Sequence, residues 1–465
     1  MSSACLSRPT RSIAAILIVA ALLLPSARAA QSLVDDPPAQ SPPNDRAALP
    51  ALVAAFYDSS PHALVWFDEQ RYRDLLDALQ ALETHGLDPD HYHLASLRRL
   101  AGNPIARDRL ATDAWLSAAL HLLLGKVDPL RIEPDWTARA RHADLIAALR
   151  TALERNRVAQ ELLALAPSHP EYRVLQQELT RLLFTIDDPT RIPTPSRAAG
   201  DETPLARADR IERLRANLER WRWLPADLGH RHLRVNIAGY RVERFEAGQL
   251  VARHRAIVGR TYRKTPVFSN LVRYVVLNPW WETPMSIAVK DELPMFQRDP
   301  GAVRRLGFQV LDREGRTVDP DGIDWRLVPA NPFPYRLRQA PGPHNALGRA
   351  KVMFPNPHNV YLHDTPRPEL FAEQRRTFSS GCVRTQDVIS LIDWLLVDDP
   401  QWTPQRVRET IDGGRETHIA LAQPVPVHIL YFTAIAESGQ AQYLADVYQR
   451  DGPLLAALNR DPHQR

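Results

Sequence analysis

Only two cysteines stand in the 465 residues of this chain, and their scarcity excludes several classes at once. A disulfide framework of the kind that staples small secreted domains needs several pairs. A structural zinc site needs Cys and His ligands clustered at short spacing, and the 16 histidines here are scattered. No metal and no other cofactor is expected. Glycine is scarce as well, 19 residues against 40 prolines, which points to stiff connectors and short interrupted elements. Apolar runs are short. The unbroken run Ile13 to Leu24 has twelve residues, fewer than the ~20 that cross a bilayer. No basic stripe interleaved with aromatics is present, so a nucleic-acid partner is not expected. There is no internal repeat.

What is present describes a globular protein. Hydrophobic residues make up 44% and charged residues 24%, and the length allows two or three domains, each with its own core. Residues 1–29 read as a signal peptide: Arg8 and Arg11 precede the apolar run, and Ala27-Arg28-Ala29 offers small residues where a signal peptidase cuts. The alternative is an uncleaved anchor. Cys5 lies before the apolar run, out of place for a lipid-modified cysteine. Arg8, Arg11 and Arg28 carry three of the four net positive charges, so the exported chain is nearly neutral. Cys5 leaves with the signal. Cys382 then remains as the one thiol, and no internal disulfide can form.

Residues 30–47 form a Pro-rich tether. From 48 to 186 the apolar spacing is helical. Leu75, Leu76, Leu79 and Leu82 make one stripe, closed by Gly86 and Pro89, and Ala114, Leu116, Leu120 and Leu123 make another. This part reads as an all-α scaffold without a catalytic cluster. Residues 187–204 are a second polar linker. The segment 205–230 holds one helix with Ile211, Leu214, Leu218 and Trp221 on a face and Pro225 as its stop. The period then changes. Leu233, Val235 and Ile237, Val251 to Val258, Val272 to Leu277, Val360 to Leu362 and Val425 to Tyr431 read as strands. Helices are expected at Ile287 to Phe296 and Val388 to Val397. The fold class is thus α+β: an all-α scaffold, a mainly β domain over 231–432, and a C-terminal helical segment over 433–465.

The chemistry centres on Ser379-Ser380-Gly381-Cys382-Val383-Arg384 and, upstream, Tyr361-Leu362-His363-Asp364-Thr365. Acyl transfer by a thiol needs a thiolate at neutral pH, hence a base and a positive local potential. A helix starting near Asp387 is expected to point its free N–H groups at the sulfur. Gly381 lets the backbone turn so that the amide of Cys382 or a neighbour can face an oxyanion. His363, at a strand end, is the expected base, with His344 and His358 next in line. Nothing fixes its orienting partner, which could be a backbone carbonyl. A lone cysteine is often just a small buried hydrophobe, but flanks of Ser, Gly and Arg argue against a core position.

The Ser-x-Gly-Cys-x-Arg run with an upstream His-x-Thr resembles the catalytic signature of L,D-transpeptidases, in particular the large scaffold-containing murein type. Leu218-Glu219-Arg220-Trp221-Arg222-Trp223-Leu224-Pro225 fits that pattern, as do Val258-Gly259-Arg260 with Thr265-Pro266-Val267-Phe268, and Asn278-Pro279-Trp280. So do Pro341-Gly342-Pro343 with Asn345-Ala346-Leu347-Gly348, and Met353-Phe354-Pro355-Asn356-Pro357. The resemblance covers nearly the whole mature chain, most strongly Pro204 to Tyr431. It makes Cys382 the nucleophile and His363 the base, with Ser380, Gly381 and Arg384 shaping the pocket and oxyanion region and Tyr361 lining it. Asp364 replaces the Gly of short members. Only the linker 187–204 stands where large members carry a peptidoglycan-binding module.

The resemblance implies that a tetrapeptide stem loses D-alanine, forms a thioester on Cys382, and is passed to the side-chain amine of a second stem, in the periplasm. Peptidoglycan stems are then donor and acceptor, and other cell-wall synthesis enzymes are candidate partners. Water as acceptor would make an L,D-carboxypeptidase and a lipoprotein lysine an anchoring enzyme; a non-catalytic wall-binding scaffold protein is the reading from another class. Residues 281–345 are expected to be a lid, with Trp325 and Tyr335 free to pack over a stem.

Overall fold

Caps and apolar spacing together account for the helices of the first half. The computed structural model describes residues 48–58, 64–184 and 206–461. The signal segment, the tether and the linker 187–204 lie outside the described residues. Asp68 accepts the Arg71 N–H at 2.8 Å and so starts helix Glu69–Ala81. Leu75, Leu79 and Leu82 of its stripe are fully buried. Gly86, at φ 76°, ends the turn that follows. Asn103 and Pro104 begin the long helix Pro104–Leu124. Its Ala111, Ala114, Ala118 and Ala119 have no exposed surface, which lets neighbouring helices close around the buried Trp115.

Helix Arg207–Arg222 joins this bundle to the β half through buried charge. Glu219 Oε2 accepts two bonds from Arg222, at 2.9 and 2.6 Å, and both side chains are fully enclosed. The pair is satisfied on its other sides: Arg222 donates to the His85 carbonyl at 2.9 Å, and Glu219 accepts the Val127 N–H at 2.7 Å. On the opposite side Arg220 reaches Asp451 at 2.6 Å, and Asn217 bonds Thr433. One helix therefore ties the scaffold to the C-terminal segment. Expecting a separate core for each domain proves incorrect. Buried side chains of the helices and of the main sheet form one continuous cluster, from Leu49 to Leu458.

The strands in chain order are β1 (Arg231–Asn236), β2 (Arg241–Glu246), β3 (Gln249–Gly259) and β4 (Phe268–Leu277), then β5 (Trp281–Glu282), β6 (Phe308–Leu311), β7 (Thr317–Val318) and β8 (Arg336–Gln339). There follow β9 (Ala350–Met353), β10 (Leu362–His363), β11 (Thr377–Ser379), β12 (Val383–Thr385), β13 (Thr417–Leu430), β14 (Ala434–Glu437) and β15 (Gln440–Tyr443). The main sheet runs β11-β3-β12-β10-β9-β4-β13-β1-β2, and β2 also pairs with β3. That extra pairing closes the sheet into a barrel, with β11 held on β3 beyond the closure. Closure removes the open edges that invite aggregation.

Strands β5 to β8 form a separate four-stranded sheet, and the segment 281–347 has an apolar core of its own. Two expectations change here. Ile287 to Phe296 is not one regular helix: α turns at Met285–Ile287 and Leu293–Arg298 flank a π-helical turn, Ala288–Glu292. Trp325 and Tyr335 are not free. Trp325 is fully buried, 5.0 Å from the Phe296 ring and 6.0 Å from that of Tyr335, and its indole N–H bonds the Pro320 carbonyl. The insertion needed a core, and these aromatics supply it. Asn345 fastens its two ends together, donating to the carbonyls of Pro279 and Ala340. The C-terminal segment is not purely helical either. The β14–β15 hairpin precedes its helix Asp451–Leu458.

Candidate active site

Three adjacent barrel strands carry the candidate residues, and their register sets which side chains meet. Leu362 on β10 pairs with Val352 on β9 and Val383 on β12, and all three are fully buried. Alternation along a strand then places the residues on either side of them on the opposite face. These are His363 of β10 with Tyr361 just before it, Arg384 of β12 with Cys382 just before it, and Lys351 of β9. His363 pairs with Arg384 and with Lys351, so the three form one row across three strands. The pairing continues one residue back, since Val383 N–H bonds the Tyr361 carbonyl at 3.1 Å and leaves Cys382 beside Tyr361.

The turn that presents Cys382 is fixed from all sides. Gly381 has φ 124°, a value that strains any residue with a Cβ. Ser379 Oγ accepts the Gly381 N–H at 3.1 Å and donates to the Cys382 carbonyl at 2.5 Å. Buried Thr265 donates to the Gly381 carbonyl at 2.8 Å and accepts the Gly259 N–H at 2.9 Å. A Cβ on Gly259 would lie 2.2 Å from the Arg263 carbonyl, so the turn 260–264 can fold back only over a glycine. Ser380 is exposed and accepts from Arg263 at 2.9 Å. The Gly381 amide is thus used within the turn, whereas the Cys382 amide has no partner among the described residues.

Burial governs the electrostatics. It pushes the Cys382 thiol up to about 11, against the opposing pull of the Tyr361 amide and phenol and, more weakly, of Arg384 and Lys351. The thiol donates to the Asn359 carbonyl at 3.5 Å. Burial, then the Arg384 charge, lowers His363 to about 3, while the Asp364 main chain acts in the other direction. His363 Nδ1 is enclosed and makes no hydrogen bond. Thiol and imidazole are therefore both neutral at ordinary pH. Tyr361 lies edge-on to His363, ring centroids 5.6 Å apart, and packs against the core of the insertion. Asp291 of the insertion bonds Arg263, which also holds Ser380.

The expected helix N-terminus at the sulfur is not there. Strand β12 carries the chain away from Cys382, and the helix begins only at Val388, behind an uncapped Asp387. The reserve histidines fall elsewhere: His344 is exposed in a loop, and His358 lies 3.7 Å from Asp135 of the scaffold. Asp364 accepts the Arg349 N–H at 3.0 Å and braces the turn after Gly348. Lys351 and Asn359 escaped the sequence reading, because only the strand register and turn geometry bring them to Cys382, and Thr265 enters that reading only as part of the family pattern, not as a brace of the Gly381 turn. Among the described residues no cluster of His, Cys, Asp and Glu could hold a metal ion.

A helical scaffold fused to a mainly β domain, with a histidine and a cysteine on one face of the sheet, defines the class of protein. Residues 51–179 match the scaffold domain family, and residues 230–408 match the L,D-transpeptidase catalytic domain. A Haemophilus influenzae protein provisionally named an L,D-transpeptidase is 31% identical over 418 residues, covering 88% of this chain and 80% of that protein. The chain belongs to the L,D-transpeptidase family, and it is an enzyme of that class acting on peptidoglycan. The crystal structure of Mycobacterium tuberculosis L,D-transpeptidase 1 aligns at 12% identity over 44% of this chain and 63% of that one, with a TM-score of 0.17. That overlap is too slight to support any argument.

Proposed function

We propose that Cys382 is the nucleophile of an exported transpeptidase that joins peptidoglycan stems through their third residues. Cys382 Sγ attacks the carbonyl linking the third residue of a tetrapeptide stem to its terminal D-alanine. The thiol proton passes to His363 as the S–C bond forms, because both groups start neutral. His363 then returns it to the departing D-alanine nitrogen as the C–N bond breaks, and a thioester remains. The side-chain amine of a second stem's third residue attacks that thioester, its proton passes through His363 to the leaving sulfur, and a new amide results. The Cys382 amide is the oxyanion donor in this reading, and Tyr361 and Arg384 line the pocket. Residues 1–29 direct export to the periplasm.

The observation that carries this reading is the strand register, which sets Tyr361, His363, Cys382 and Arg384 on one face. The insertion 281–345 acts as a cover that keeps water from the thioester, which favours the amine acceptor. Its core against Tyr361 and its Asp291–Arg263 contact support that role.

The test is mass spectrometry of muropeptides after incubating purified enzyme with disaccharide-tetrapeptide. A cross-linked dimer with loss of D-alanine is expected, and Cys382→Ala should give none while keeping the fold. Tripeptide alone would make the enzyme an L,D-carboxypeptidase. D-Alanine release by Cys382→Ala would refute the cysteine mechanism.

A further inference from the structure

Two cations stand in the row that contains His363, and neither is in an ion pair among the described residues; the carboxylate that acts on Lys351 is Glu416, from beyond ion-pair distance. Lys351 and Arg384 are half-buried, on strands either side of β10, with side chains on the thiol's face. No carboxylate lies within ion-pair distance of either among the described residues. Arg384 Nε is enclosed without a partner. Arg260 and Arg367 add positive charge near Arg384. The Lys351 ammonium lies 5.8 Å from the Tyr361 ring centroid, on the side chain that hydrogen-bonds the thiol. Cations are seldom withdrawn from water unpaired. A site built this way is completed by an anion.

The donor stem supplies one. In a tetrapeptide the terminal carboxylate lies about 3–4 Å beyond the scissile carbonyl carbon, one residue further along. We infer that Lys351, across β10 from Arg384, holds the free carboxylate of the donor's terminal D-alanine, and so selects stems that end at the fourth residue. A stem extended by a fifth residue has an amide at that point, which leaves the ammonium unpaired in a half-buried site. This rests on the proposed cysteine transferase reading, and it assigns to a lysine outside the catalytic signature the choice between stems. Lys351 acts on specificity and takes no part in proton transfer.

The experiment compares two donors, disaccharide-tetrapeptide with its terminal carboxylate free and the same molecule as the C-terminal carboxamide. Release of D-alanine or D-alaninamide is followed for the wild type, Lys351→Met and Lys351→Arg. The wild type should prefer the free acid by roughly 10- to 100-fold in kcat/KM, mostly through KM, as expected for one charge-assisted contact. Lys351→Met should bring the ratio close to one, and Lys351→Arg should keep most of the preference. A wild type that uses acid and carboxamide equally well overturns the inference whatever the variants do. So does Lys351→Met slowing both donors by one factor with the preference intact, since the lysine would then be acting on the thiol. A wild type that releases neither product from either donor rejects the transferase reading itself, and the assignment of Lys351 with it.

Discussion

At His363 two effects oppose a positive charge. Burial strips water from the ring, and Arg384 and Lys351 stand in the flanking strands. An imidazole held at about 3 stays unprotonated where a free one would already be charged. The acid side of the pH profile should therefore show no loss of kcat/KM through pH 6.5, the ordinary histidine range. On the alkaline side the thiol, at about 11, should react with iodoacetamide ever faster beyond pH 9. An alkylation plateau between pH 5 and 8 would reveal a preformed thiolate–imidazolium pair, contrary to this account. Replacing His363 with alanine should slow acylation by ~10²- to 10⁴-fold, the usual worth of a general base. Cys382 and His363 could be picked out from the chain as candidates because their residue types are rare or polar where a core would be apolar, and the register sets both on one face. Lys351 could not. A lysine between Ala350 and Val352 looks like any strand residue turned to solvent until β9 is known to lie against β10.

At the scale of elements, the insertion shows how far periodicity carries. Its helical run was legible from Ile287 to Phe296, but the π turn within it was not, because one extra residue per turn hardly disturbs apolar spacing. Its aromatics were misplaced for a related reason. Over some sixty residues with their own sheet, a chain segment buries its large side chains against each other before it offers them to a ligand. Exposed Tyr262, in the turn beside Ser380, is a better candidate for contact with a stem. Trimming the insertion between Trp281 and Asn345 should raise the ratio of tripeptide to cross-linked dimer while Cys382 still acylates. Muropeptide analysis reads this directly. An unchanged ratio with unchanged acylation would show that the insertion does not shield the thioester.

Across the whole molecule, the scaffold helices and the β barrel fold around a single core, and buried histidines are part of it. His85, His363 and His428 are all but enclosed, and burial holds them at about 3, 3 and 4. Each stays neutral in the folded chain yet takes a proton near pH 6.5 once unfolded. Their contribution is therefore complete above pH 6.5 and is lost as pH falls below it. By pH 5 each should weaken folding by about 2 kcal/mol. Thermal melts at pH 7.5 and pH 5 should show a clear drop in Tm at the lower pH. Equal values would mean that these rings are hydrated or paired in a way that accommodates charge. The shared core was hidden from the sequence, where a linker and a change of period made two independent domains look natural. What unites them is a set of long-range contacts from helix Arg207–Arg222, whose polar residues read as surface in one dimension and are buried in three.

The route of the chain through the barrel also imposes an order of assembly. Cys382 and His363 are both in place by β12, but β13 (Thr417–Leu430), the strand between β4 and β1, comes later in the chain. The match to the catalytic domain ends at residue 408, before that strand begins. A chain interrupted there would own every residue of the proposed chemistry and still be a broken sheet, with β4 and β1 each missing a neighbour. Completion of the C-terminal stretch thus becomes the step that closes the barrel, and the face that carries Cys382 and His363 is not fully assembled on an unfinished protein.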